Sequence, residues 1–329
     1  MMAASLTGLP ALAAGEVNVY TNREPGQYSA TLDEFTKATS IKVNAIFSEQ
    51  GLAERIAAEG DRSPADVLIT VDIGRLQQAL DLGVAQPVRS EAIAAAVPAN
   101  LRDPDGRWTA LSMRARTIYV SKDRVPDTAL TYESLADPKW KGKVCTRSFQ
   151  HPYNIALTAA MLVKKGEEKT RAWLEGVKAN LAKKPSGGDR DVAKDIAAGV
   201  CDVGLGNSYY VGLMATGKNE DQKKWAAAIR PVLPTFEDGG THVNVSGAVV
   251  AKNAPNRENA IKLIEYMVSP DAQHVFADVN YEYPIREGVA VNPFIASFGK
   301  LKPDPMSLAD VAKARKRASE LVDEVGFDR

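Results

Sequence analysis

Short apolar runs rich in valine and isoleucine alternate with stretches of helical periodicity from one end of the chain to the other. "EVNVY" (16–20) leads into a helix near "YSATLDEFTKAT", then "IKVNAIF", a helix near "GLAERIAAEG", "ADVLIT" and a helix near "IGRLQQALDLG". This rhythm predicts parallel strands with helices on both faces of the sheet. A second unit of the same kind follows: "RTIYVSK", the turn "TYESLADPKWKGK", the strand "KVCTR", helices through "NIALTAAMLVKK", "GEEKTRAWLEGVKANLA" and "GDRDVAKDIAAG", and the strand "CDVGLG". Further on, "NRENAIKLIEYMVS" reads as a helix, Ser269 and Pro270 as the N-cap and first-turn proline of the next, and residues 306–324 as a last amphipathic helix. The economical account is an α/β protein of two lobes. The turn-rich segments "NLRDPDGRW" (100–108) and "EDGGTH" (237–242) are candidates for the passages between them.

Composition narrows the partners. A chain of 329 residues, 45% hydrophobic and 25% charged, is long enough for two cored domains. Lysine plus arginine balances aspartate plus glutamate, 41 against 41, so no nucleic-acid stripe or polybasic membrane patch is expected. Residues 1–14, "MMAASLTGLPALAA", resemble the tail of a secretory signal without its basic front; the plain alternative is an amino-terminal extension. Elsewhere no apolar run approaches the ~18–20 residues of a membrane span, so the expectation is an exported protein that does not itself cross the bilayer. Cys145 and Cys201 are the only cysteines, each at the edge of an expected strand. That placement suits a bridge in an oxidising compartment and also suits two buried thiols.

Several chemistries are missing. The first strand runs into "TNREPGQ", which lacks the glycine fingerprint that brings backbone N–H groups to a phosphate. No G-x-S-x-G elbow occurs, and His151, His242 and His274 have no zinc spacing. A Cys145–His151 nucleophile pair would put the thiol in a run typical of a buried strand. What remains is tyrosine oxygen. Tyr153 and the vicinal pair Tyr209–Tyr210 each open a helix just after a strand of the second unit, where the carboxyl ends of strands face the ligand crevice of an open sheet. A tyrosine often packs its ring and wets its hydroxyl, but three at matching junctions suit a hard, highly charged cation. Phenolate is an anionic oxygen donor, which points to ferric iron before zinc or copper(I). Tyr266, Tyr281 and Tyr283 lack such junctions and read as structural.

The segments "VNVYTNRE", "SPADVLITVDIGRL", "ALSMRARTIYVSKD", "SLADPKWKGKVCTRS", "DVGLGNSYYVGLM", "GTHVNVSGAVVAKNAPNRENAIKLIEYMVSPDAQ" and "VNYEYPI" together resemble the periplasmic ferric-iron-binding proteins of bacterial ABC importers, over essentially all of residues 16–329. The resemblance implies a type II periplasmic-binding-protein fold with a crossing-strand hinge: residues 15–113 and 237–288 in the amino-terminal lobe, 114–236 and 289–329 in the carboxy-terminal lobe. It implies a non-catalytic periplasmic carrier, a monomer that hands Fe(III) to an ABC permease. By the same resemblance Tyr209 and Tyr210 match the family's ligand pair, Tyr153 the further tyrosine of one subgroup, and Arg116, with Arg114 behind it, the arginine near the metal or its anion. A Cys145–Cys201 disulfide is implied too. The chain departs from the family where many members supply a histidine after the first strand, having Arg23-Glu24-Pro25, and where some supply a glutamate, having Val71-Asp72. For the amino-terminal ligand this leaves Glu24, Tyr28, or carbonate, citrate or water. A small organic anion, a polyamine or ferrous iron in the same cleft are the alternatives.

Overall fold

A computed structural model describes residues 15–126 and 129–329; the signal-like segment 1–14 lies outside the described residues. Among the described residues nine strands follow one another: β1 (Glu16–Thr21), β2 (Lys42–Phe47), β3 (Val67–Thr70), β4 (Ala85–Gln86), β5 (Thr109–Ser121), β6 (Val144–Cys145), β7 (Val203–Asn207), β8 (Ile229–Val232) and β9 (Val243–Ala251). They form one curled path, β2-β1-β3-β9-β5-β7-β6, with β4 on β9 and β8 on β5. The pairs β1–β2, β1–β3 and β6–β7 are parallel, as the βα alternation predicts. Every antiparallel pair involves β5 or β9.

Those two strands carry the crossing. Residues Thr109–Ala115 of β5 pair with β9, and from Arg116 onward the same strand pairs with β7 and β8. The cores divide at the same place: Ala110 and Leu111 join a cluster with Val19, Leu68, Leu76 and Phe276, whereas Ile118 and Val120 join one with Phe149, Trp173, Leu205 and Leu321. The turns at 100–108 and 237–242 therefore end just before the crossing strands begin, and the passage itself is made in extended backbone. A ladder satisfies the N–H and C=O groups of a buried crossing, which an irregular turn would leave unpaired.

The last helix, Leu308–Val325, touches both clusters. Leu308, Ala309 and Ala312 belong to the first, and Val311, Ala318, Leu321 and Val322 to the second. Cys145 and Cys201 are bridged, Cα to Cα 5.9 Å, tying the end of β6 to the segment that enters β7.

Candidate metal centre

The end of β6 and the end of β7 each feed a helix start, and the three tyrosines sit there. After Ser148–Gln150 the chain enters the helix Pro152–Lys165. His151 caps it, its Nδ1 accepting the Tyr153 N–H at 3.2 Å, and Pro152 occupies the first turn, where its missing N–H costs nothing. β7 runs directly into the helix Ser208–Thr216, so Tyr209 and Tyr210 occupy its first turn. Parallel pairing of β6 with β7 sets both helix starts at the same edge. The Tyr153 and Tyr209 hydroxyl oxygens lie 3.4 Å apart, and the Tyr209 and Tyr210 rings 4.2 Å apart, centroid to centroid.

Guanidinium groups surround these phenols. Arg114 and Arg116 stand two apart on β5, so their side chains leave one face of the strand; their Cζ atoms lie 5.5 and 6.0 Å from the Tyr153 ring centroid. Arg147 lies 5.2 Å from the same ring, and Arg190 4.6 Å from the Tyr210 ring. Asp189 is the carboxylate among them: it accepts from Arg116 at 2.6 Å, from the Asn207 N–H at 2.9 Å and from Arg147 at 3.4 Å. Arg116 also donates to Asn154 (2.7 Å) and Asn207 (3.0 Å). The buried Nε atoms of Arg116, Arg147 and Arg190 and the Asn207 amide nitrogen have no protein acceptor. Arg116 and Arg147 thus face Asp189, Arg114 acts on the buried Asp72, and unspent donors remain around three phenols. Such a donor set fits phenolates, a metal and an accompanying anion.

Protonation follows from burial. Tyr209 is pushed well above its ordinary value by burial and by the neighbouring phenols, with Arg114 opposing; Tyr210 is raised by burial, then by Tyr153 and Asp189. Burial also raises Asp189, but Arg116 and Arg147 outweigh it, and its carboxyl lies below the usual range. His151 is held neutral, lowered to about 3 by burial and by Arg147. Among the described residues, no three His, Cys, Asp or Glu side chains come together as a metal site.

Of the residues singled out in the sequence, the structure brings together Tyr153, Tyr209, Tyr210, Arg114 and Arg116. Glu24 and Tyr28 do not join them. Glu24 is exposed at the N-cap of the helix Pro25–Thr39, and Tyr28 packs into the amino-terminal core. The loop after β1 instead sends Arg23 inward, where it donates to Glu282 at 2.7 Å and to Ser112 at 3.3 Å. Arg147 and Arg190 carry no sequence signal: Arg147 lies just past β6 and Arg190 in the first turn of the helix Asp189–Ala197, and each reaches the phenols only through tertiary packing. A cleft of about 680 Å³, lined by Asn22, Gln50, Arg75 and Gln78 on one side and His151 and Pro152 on the other, opens beside Tyr153.

Comparison with known proteins agrees with this architecture. The family model described as bacterial extracellular solute-binding protein matches residues 62–299. The chain is 44% identical over 314 residues to iron uptake protein A1 of Synechocystis, covering 95% of this chain and 87% of that protein. Among solved structures, a Bordetella ferric binding protein is 56% identical with TM-score 0.91, covering 95% of this chain and all of its own. A Trichodesmium protein in complex with iron and citrate ligands is 41% identical, also with TM-score 0.91 and with 95% and 100% coverage. These neighbours have the two-lobed type II periplasmic-binding-protein fold, and the chain belongs to the bacterial extracellular solute-binding protein family.

Proposed function

We propose that this protein is a periplasmic, non-catalytic carrier that takes Fe(III) through the phenolates of Tyr153, Tyr209 and Tyr210 and delivers it, as a monomer, to an ABC permease. The observation that carries the reading is the convergence of three phenols inside a ring of arginines, with the Tyr153 and Tyr209 oxygens 3.4 Å apart. Neutral phenols there leave the guanidinium charge uncompensated. Loss of phenolic protons offsets that charge, and a trivalent cation then restores an excess of positive charge that an anion answers. Citrate, carbonate or water completes the shell, drawing on Arg116, Arg147 and Arg190. The relatives' names, which speak of iron uptake and ferric binding, support the same cargo, and citrate accompanies iron in one neighbour.

Among the described residues no helix is long and apolar enough to cross a membrane, which suits a carrier served by a separate permease. The lobes, 15–113 with 237–288 and 114–236 with 289–329, would close about β5 and β9. Glu24 and Tyr28 stay outside the ligand set.

Metal-stripped protein titrated with ferric citrate tests this. A visible phenolate-to-iron band saturating near one iron per chain is expected, and it should vanish in the Tyr209→Phe/Tyr210→Phe double variant. A folded wild type without a band would sink the reading and favour an organic anion or ferrous iron.

A further inference from the structure

All three phenols project from the carboxy-terminal sheet, so a metal held by them touches one lobe. The amino-terminal lobe reaches the cleft at Val71 and Asp72, the end of β3 and the N-cap of the helix Ile73–Asp81, and both residues are engaged by arginines. Val71 O accepts from Arg114, and Asp72 Oδ1 lies 3.0 Å from Arg315 Nη1. The same Arg315 nitrogen donates to Pro152 O at 3.3 Å, at the first residue of the helix that carries Tyr153. One guanidinium therefore spans the two lobes.

The surroundings are shaped for this contact. Leu308, Ala312 and Arg315 follow the i, i+4, i+7 spacing of a single helix face, and Leu308 and Ala312 are the residues that pack into the amino-terminal core. Gly74, the second residue of the helix that Asp72 caps, makes room: a Cβ there would stand 2.0 Å from Arg315 Nε. Asp72 is 1% exposed, and its other oxygen accepts from Asn244 at 2.7 Å, so the pair is sheltered from salt.

We propose that Arg315 is a positioning residue that clasps the amino-terminal lobe over the phenols, closing the cleft by a protein–protein ion pair where the metal reaches one lobe only. The proposal rests on the iron reading for its cargo and on the Asp72–Arg315–Pro152 geometry for its mechanism. The clasp retards escape of whatever the phenols hold. Removing it speeds release without altering the ligands.

Two variants break it from opposite sides. Arg315→Ala removes the guanidinium; Gly74→Ala keeps every charge and displaces the guanidinium sterically, at a helical position where alanine is otherwise the better residue. Small-angle scattering of each protein, with and without ferric citrate, is combined with stopped-flow transfer of iron to excess EDTA. The expected result is an expanded molecule for both variants in either state, an unchanged visible band, and release at least about tenfold faster, since breaking a buried ion pair exceeds the free energy of one decade. Variants that scatter and release like wild type overturn the clasp. So does a metal-free wild type as expanded as the variants, or iron that closes the variants again, which would mean that the metal bridges the lobes. A wild type without a visible band is the failure of the iron reading alone, and scattering of the metal-free proteins then still decides the clasp.

Discussion

Burial keeps the Tyr209 and Tyr210 hydroxyls protonated, so under the proposed iron ligation binding and proton release would be one event. The apparent affinity for iron should rise with pH, the slope of its logarithm approaching three and falling by about one in Tyr153→Phe; a titration series between pH 5.5 and 7.5, buffered at about half-unit steps, reads this directly. His242 governs stability instead. Burial, with Arg116 beside it, lowers this side chain to about 3 from the ordinary 6.5. The unfolded chain takes up that proton first, so its contribution is complete above about pH 6.5 and is lost as pH falls toward 3, by up to about 1.4 kcal/mol per pH unit. Asp189, whose carboxyl is lowered, acts only further down, below its ordinary 3.8. Denaturant melts of His242→Phe between pH 6.5 and 4 should therefore show a shallower acid limb than wild type, with His151, joined near pH 4 by lowered carboxyls such as Glu324, supplying slope that remains. Tyr153, Tyr209 and Tyr210 were legible in the sequence because each follows a short apolar run at the point where alternation stops. Arg147 and Arg190 were not, since "KVCTR" reads as the end of a strand and "GDRDVAKDIAAG" as a helix, and nothing local says that their arginines converge.

The elements that hold the site are tied down by contacts distant in sequence. Asp328 accepts from Ser148 Oγ (2.6 Å), the Phe149 N–H (2.9 Å) and the Gln150 N–H (3.1 Å), and Phe327 stacks on Phe149 with centroids 3.9 Å apart. The end of the chain thus fixes the loop that aims Tyr153. Asp328→Ala leaves those donors without their carboxylate, which should cost about 1–3 kcal/mol of stability and weaken iron binding measured by competition with citrate. The Cys145–Cys201 bridge spans a sequence separation of 56 residues. Loop-closure entropy assigns it about 4 kcal/mol, so Cys145→Ser/Cys201→Ser should unfold at lower denaturant yet still form the visible band. The βα alternation predicted the parallel pairs well. It did not predict β5 as one strand of 13 residues, because Arg114 and Arg116 interrupt the apolar pattern at the crossing. Charges in a buried strand make sense only once Asp189, Asn207 and the phenols are in place around them.

At the scale of the whole molecule, the two-lobed outline follows from the repeated βα pattern, while the path of the chain between lobes depends on β9 returning after the second sheet is complete. β9 lies between β3 and β5, bonded to both. As the chain is made from its amino end, the first lobe therefore cannot close its sheet until residue 251 has been added. Through most of synthesis β3 and the first half of β5 offer bare edges, the kind of surface that pairs with other chains. An amino-terminal lobe in this topology is the first to be written and among the last to be finished. A chain built this way keeps its first lobe unfinished while it is still growing, which leaves time for it to be threaded elsewhere before that lobe folds.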